Sequence, residues 1–179
     1  MSAMIKRLGI LLVLMIAGWN LKAVTITSAA SGNWSNPATW VGGVVPGAAD
    51  DVIIANGHTI TVDGNYTCYS ITVSPGANNT TLTISGTNSL IVNGLVFVQA
   101  PTANNINNVV DVGNGSLSCA NFTMGATNAD SRDVILRIAG GTVTVTGTTT
   151  MGSNYLRNHI DFTGSGQLIV GGNISQGGI

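Results

Sequence analysis

The chain has 179 residues, the size of one domain with a core of useful volume, and a formal charge of −1. Only 7% of residues are charged, 24 are glycine, and the seven acidic residues are all aspartate, a composition that excludes a helical bundle or a coiled coil. The six scattered basic residues form no stripe able to neutralise a run of phosphates, which sets nucleic acid aside as a partner.

From the N-terminus, Lys6 and Arg7 precede an apolar run, Leu8 to Ala17, and Ala23 stands where a signal peptidase would cut before Val24. Residues 1–23 therefore read as a secretory signal, because the run is shorter than the ~20 residues that a spanning helix needs. No later stretch reads as a membrane span. Without Lys6, Arg7 and Lys22, the chain keeps Arg132, Arg137 and Arg157 against seven aspartates and has no lysine. The expectation is a mildly acidic protein, secreted or held at the cell surface. Residues 24–51 carry Trp34, Trp40, Gly42, Gly43, Pro46 and Gly47 with little alternation, and are expected to form an N-terminal cap.

From Val52 onward the chain repeats itself. Thr59–Gly64, Ser89–Gly94, Ser116–Asn121, Thr142–Gly147 and Gln167–Gly172 each alternate apolar with polar residues and close on glycine, or once on asparagine. The pairs Ile60/Val62, Leu90/Val92, Leu117/Cys119, Val143/Val145 and Leu168/Val170 would line one inner wall. A strand before each copy supplies a second wall from Val52/Ile54, Leu82/Ile84, Val110/Val112, Leu136/Ile138 and Ile160/Phe162. His58, Asn88, Gly115, Gly141 and Gly166 would turn the corner between the two, and the residues closing each copy suit a left-handed backbone. A third wall begins with Ile71/Val73 and ends with Phe122/Met124; between them either Val96/Val98 or Leu95/Phe97 points inward. One such copy cannot bury its apolar side, whereas stacked copies can. The fold class predicted is all-β, a single-stranded parallel β-helix of about five coils over residues 52–179, with variable loops on one corner at 99–108, 125–133 and 151–158. Antiparallel sandwich strands would not demand the same corner residue in each copy.

The opening of this region resembles a known family. Asn33-Trp-Ser-Asn-Pro-Ala-Thr-Trp40, Gly42-Gly43, Val45-Pro46, Asp50-Asp51-Val52 and Gly57-His-Thr-Ile-Thr-Val-Asp63 are similar to the start of the G8-type domain. The resemblance spans roughly residues 31–76. It implies a right-handed parallel β-helix in a secreted bacterial surface protein of adhesin-like type, carbohydrate binding, and a longer multidomain parent. On that reading the C-terminal end, which stops within a coil, is truncated.

For chemistry, the outward residues Ile53, Thr83, Asp111, Arg137 and Asp161 are expected to stack in one column at ~4.8 Å per coil. Asp111, Arg137 and Asp161, with Tyr66 and Tyr155 as sugar-stacking aromatics, form the candidate ligand face, and the expected partner is an extracellular polysaccharide or glycan. The plainer account of the same charges is a register-fixing ladder. The alternative function is a fragment of a carbohydrate-active enzyme, a polysaccharide lyase or a glycoside hydrolase, since Asp111 and Asp161 would stand ~9.6 Å apart along the axis, compatible with an inverting pair. Arg137 between them argues for ion pairing and a non-catalytic face. Asp50 and Asp51 read as turn formers, Cys68 and Cys119 are too few for a metal site, and the sequence calls for no cofactor or metal. An oxidising compartment permits a bridge between the two cysteines without requiring one, and Cys119, alternating with Leu117, reads as a small inward apolar residue.

Overall fold

The computed structural model describes residues 23–126, 131–152 and 157–177. Most of the expected signal segment, and Tyr155 of the candidate face, lie outside them. The described residues form a parallel β-solenoid. One sheet has six strands: β2 (Gly32–Asn33), β4 (Thr59–Val62), β7 (Thr80–Ile84), β9 (Ile106–Val112), β11 (Arg132–Ile138) and β14 (Asn158–Phe162). They mark about six turns, one more than the repeat predicted, because β2 in the tryptophan segment adds a turn of its own.

The other sheet has ten strands and bends to make two walls. One wall stacks β5 (Tyr66–Cys68), the first half of β8 (Ser89–Val98), the first half of β10 (Ser116–Met124), β12 (Thr142–Val145) and β15 (Gln167–Val170). Its second wall stacks β1 (Thr25–Thr27), β3 (Asp51–Ile54), β6 (Ser70–Val73), the second halves of β8 and β10, then β13 (Thr149–Met151) and β16 (Ile174–Gln176). All these pairings are parallel. The bend coincides with a register irregularity between Cys119 and Asn121 of β10, opposite Val92 and Leu95 of β8, where β8 carries one residue more than β10 as the two continuous strands turn the corner.

Alternation explains the core. Leu82, Val110 and Leu136 stack on one wall, Leu90, Leu117 and Val143 on the next, and Ile71, Val96 and Phe122 on the third, all fully or almost fully buried. This settles the third wall in favour of Val96/Val98. The first copy corrects the sequence reading. Ile60/Val62 pairs with Leu82/Ile84, and Val52/Ile54 pairs with Ile71/Val73, so each sits one wall away from its expected place. Every wall carries the same period of two, and alternation alone cannot say which wall a strand joins. His58 accordingly leaves the corner column and meets the Ser28 hydroxyl at 2.8 Å.

Asn88, Gly115, Gly141 and Gly166 do share a corner. The left-handed backbone expected of the residues closing the copies is absent: none of Gly64, Gly94, Asn121, Gly147 and Gly172 has a positive φ, and neither does the corner column. Glycine is needed because successive backbones nearly touch: a Cβ on Gly141 would lie 2.1 Å from the Gly115 carbonyl oxygen. The carbonyls of Asn88, Gly115 and Gly141 accept from the amides of Ser116, Thr142 and Gln167 at 2.9, 3.0 and 2.9 Å.

At the head of the solenoid, Trp34 and Trp40 are buried and meet edge to face, with ring centroids 5.0 Å apart. Trp34 donates its amide to the Thr61 carbonyl at 2.8 Å, extending β2 along β4, while Trp40 Nε1 donates to the Trp34 carbonyl at 2.8 Å. Ser28 and Trp40 form an antiparallel bridge, and Ala29 donates to the Thr39 carbonyl at 2.7 Å, so the chain at Thr39 and Trp40 folds back against the residues that follow β1.

Two outcomes check this fold by thermal melting and circular dichroism. Val145→Asp, which puts an unpaired charge at a fully buried position, should unfold its turn, whereas Ile91→Asp on the exposed side of the same wall should melt near the parent. Trp34→Ala should lower stability by about 3 to 5 kcal/mol, the usual cost of emptying a buried tryptophan site.

Candidate functional site

The outward face of the six-stranded sheet gathers Arg137 and Arg157 with three aspartates. Its strands place Thr61, Thr83, Asp111, Arg137 and Asp161 in one column, with Thr61 where the sequence suggested Ile53. Arg137 Nη1 donates to Asp111 Oδ2 at 3.2 Å, a part-buried ion pair between adjacent turns. Asp161 stands in register on the other side of Arg137, yet among the described residues the guanidinium pairs only with Asp111.

A second cluster lies nearer the variable corner and was missed as a site in the sequence. Asp133 Oδ1 is 2.8 Å from Arg157 Nε and 3.5 Å from His159 Nε2. The Arg157 contact is off the hydrogen-bonding angle, so Coulomb attraction carries it. The Asn107 amide nitrogen, turned toward its acceptors, reaches Asp133 Oδ2 at 3.3 Å, and Arg132 Nε donates to Asn104 Oδ1 at 3.2 Å. The signal was present but faint: Asp133 precedes Arg137 by two alternations, and register sets Asn107 beside Asp133 and Ile135 beside His159. Between the two clusters run the outward residues Val109 and Ile135, both buried, an apolar seam within the polar face.

Tyr66 belongs elsewhere. It lies on β5 against the head of the solenoid, its ring stacked on Trp34 with centroids 5.7 Å apart and its hydroxyl donating to Asp63 Oδ1 at 3.4 Å. Burial and the neighbouring Asp63 charge push its phenol above the ordinary value of 10.0. For Asp63 itself burial acts upward, but hydrogen bonds from the Ser35 hydroxyl and amide, at 2.6 and 3.1 Å, prevail and hold the carboxyl below 3.8. This group therefore fastens the head and takes no part in the charged face.

Asp50 closes a turn, accepting from the Gly47 amide at 2.8 Å and from the Val24 amide at 3.2 Å, and Asp51 accepts from the Ser70 hydroxyl. Among the described residues no three His, Cys, Asp or Glu side chains lie together as metal ligands. No helix among them is long and apolar enough to cross a membrane. Cys68 and Cys119 are free and buried, and each aligns with Val92 from opposite sides, so the two sulfurs stand two turns apart. That is about twice the ~4.8 Å strand spacing and too far for a bridge.

Comparison of the chain with protein-family models, curated proteins and solved structures gives no match.

Burial pushes both thiols up to about 12, with Asp50 and Asp51 adding to the rise at Cys68. At pH 8 both are neutral and shielded, so alkylation by iodoacetamide should be very slow in the folded protein and rapid in denaturant. Fast labelling of either thiol under native conditions would contradict its placement.

Proposed function

We propose that this chain is a non-catalytic β-helical module of a secreted, cell-surface protein of the G8 type, and that it binds extended carbohydrate. The observation that carries the reading is the charged outward face of the six-stranded sheet. Asp111, Arg137 and Asp161 stand on successive turns, and Asn107, Asp133, Arg157 and His159 flank them. Guanidinium and carboxylate groups hold sugar hydroxyls and carboxylates through charge-assisted hydrogen bonds. A rung spacing of ~4.8 Å is comparable to one pyranose unit, so a linear chain lying along the solenoid axis meets a polar group at each step. Side chains anchored on strands also lose little entropy when a ligand lands on them.

The secretory reading of residues 1–23 and the tryptophan motif of residues 33–40 support the surface location and the family. The Arg137–Asp111 ion pair argues against the glycoside hydrolase alternative, because it engages the residue lying between the two would-be catalytic carboxylates.

The test pairs a glycan array with reducing-end and unsaturated-product assays on the glycans retained. Binding without product is expected. Arg137→Ala should weaken binding by about 10-fold or more, the worth of one charged hydrogen bond, and leave the melting temperature nearly unchanged, as befits a part-exposed ion pair. Product formation by the parent that Arg137→Ala abolishes would move the protein to the enzymes, and failure to retain any glycan would remove carbohydrate as the partner.

A further inference from the structure

The first strand of the solenoid begins one residue beyond the bond that the leader pattern marks for a signal peptidase. β1 starts at Thr25 in register with Asp51, and the Asp51 amide donates to the Val24 carbonyl at 2.9 Å, so among the described residues the hydrogen bonds of this sheet begin at Val24. The Val24 nitrogen itself donates to Asp50 Oδ1 at 3.2 Å. Asp50 is held in place for that contact: its Oδ2 accepts from the Gly47 amide and its carbonyl from the Tyr69 amide, both at 2.8 Å. Asp51 is its neighbour in the chain, whereas Arg137, Arg157 and His159 are engaged by Asp111 and Asp133 on the charged face, so none of these three serves the two adjacent carboxylates. Residues 24–179 contain no lysine.

We infer that the bond between Ala23 and Val24 is a processing site, and that Asp50 is the built-in partner of the α-ammonium group its cleavage releases. The inference rests on the secretory reading of residues 1–23. Two independent observations meet at this one bond: the pattern of Lys6, Arg7, the apolar run and small Ala23, and the residue at which sheet pairing begins. In the cleavage, water adds across the peptide bond. Its hydroxyl joins the Ala23 carbonyl carbon, its proton goes to the Val24 nitrogen as the C–N bond breaks, and the new carboxylic acid ionises while the new amine takes up a proton at neutral pH. Before the cut the Val24 nitrogen offers Asp50 a single uncharged N–H. After it the same atom offers three donors on a full positive charge, and a hydrogen bond between an ammonium and a carboxylate is shorter and stronger. Processing thus supplies the cation that this lysine-free stretch lacks, and ties the first strand to the turn that Asp50 closes.

The experiment expresses the chain with its leader in a bacterial host and characterises the exported protein by intact mass and N-terminal sequencing. A single product beginning at Val24 is expected. Because that product has no lysine, acetylation with an N-hydroxysuccinimide ester, followed by hydroxylamine to clear esters, modifies the α-amine alone, removing its charge and leaving an amide N–H. Acetylation should lower the Tm by about 1 to 3 °C, the worth of one exposed ion pair in a domain of this size, and should leave Asp50→Asn unmoved. The shift should shrink in about 1 M salt. A different first residue, or an acetylation shift that is absent or equal in parent and variant, would overturn the inference while leaving secretion intact; an exported protein that keeps its whole leader would overturn both. If Asp50→Asn fails to fold, the parent decides through salt, since a shift that salt does not reduce is not an ion pair. Glycan binding is scored separately and bears on neither outcome.

Discussion

The structure rests on one repeated constraint, the registered parallel pairing of each turn with the next. Hydrogen bonds between turns set strand against strand, and the same register drops apolar side chains into continuous stacks along three walls. Neither works alone. A single turn would expose its apolar side and leave its backbone unpaired on both edges, whereas a stack satisfies both at once. The constraint extends to the corners, where carbonyl-to-amide bonds from Asn88 through Gly115 and Gly141 to Gln167 draw the chain so close that a side chain has no room. Asn121 fits a comparable corner by a different device. Its side-chain Oδ1 accepts from the Thr148 amide at 2.9 Å and takes over a bond that the turning backbone cannot make.

Because the inward positions are committed to packing, the outward ones are free to carry chemistry, and register decides which of them meet. Asp111 and Arg137 are 26 residues apart in the chain yet form an ion pair because β9 and β11 align them. The same mechanism collects Asn107, Asp133, Arg157 and His159 from three turns onto one face. Both ion pairs are part-buried and keep some solvent access, so screening limits what each adds to stability.

The head shows how a solenoid stops. Two tryptophans, a tyrosine and the Asp63–Ser35 hydrogen bonds supply the volume and polar partners that a preceding turn would otherwise provide. The cap is not a separate lid: β1 and β2 enter the two sheets as the first turn, and the chain at Thr39 and Trp40 folds back against the residues that follow β1.

The sequence by itself determined that this is a parallel β-solenoid, which residues face inward in nearly every strand, and that Trp34 and Trp40 are buried. Inward and outward positions follow from a local period of two, and corner glycines recur once per turn, so both can be read without knowing what touches what. It was also enough to place Asp111, Arg137 and Asp161 in one column. Wall membership is another matter, because all three walls share that period. Only the tertiary pairing moved Val52/Ile54 and Ile60/Val62 to their proper walls, replaced Ile53 by Thr61, and chose Val96/Val98 over Leu95/Phe97. It likewise decided that Tyr66 packs at the head, that Asp133, Arg157 and His159 meet, and that Cys68 and Cys119 stand two turns apart. Each of these depends on loop lengths and on contacts between residues far apart in sequence, which alternation cannot encode.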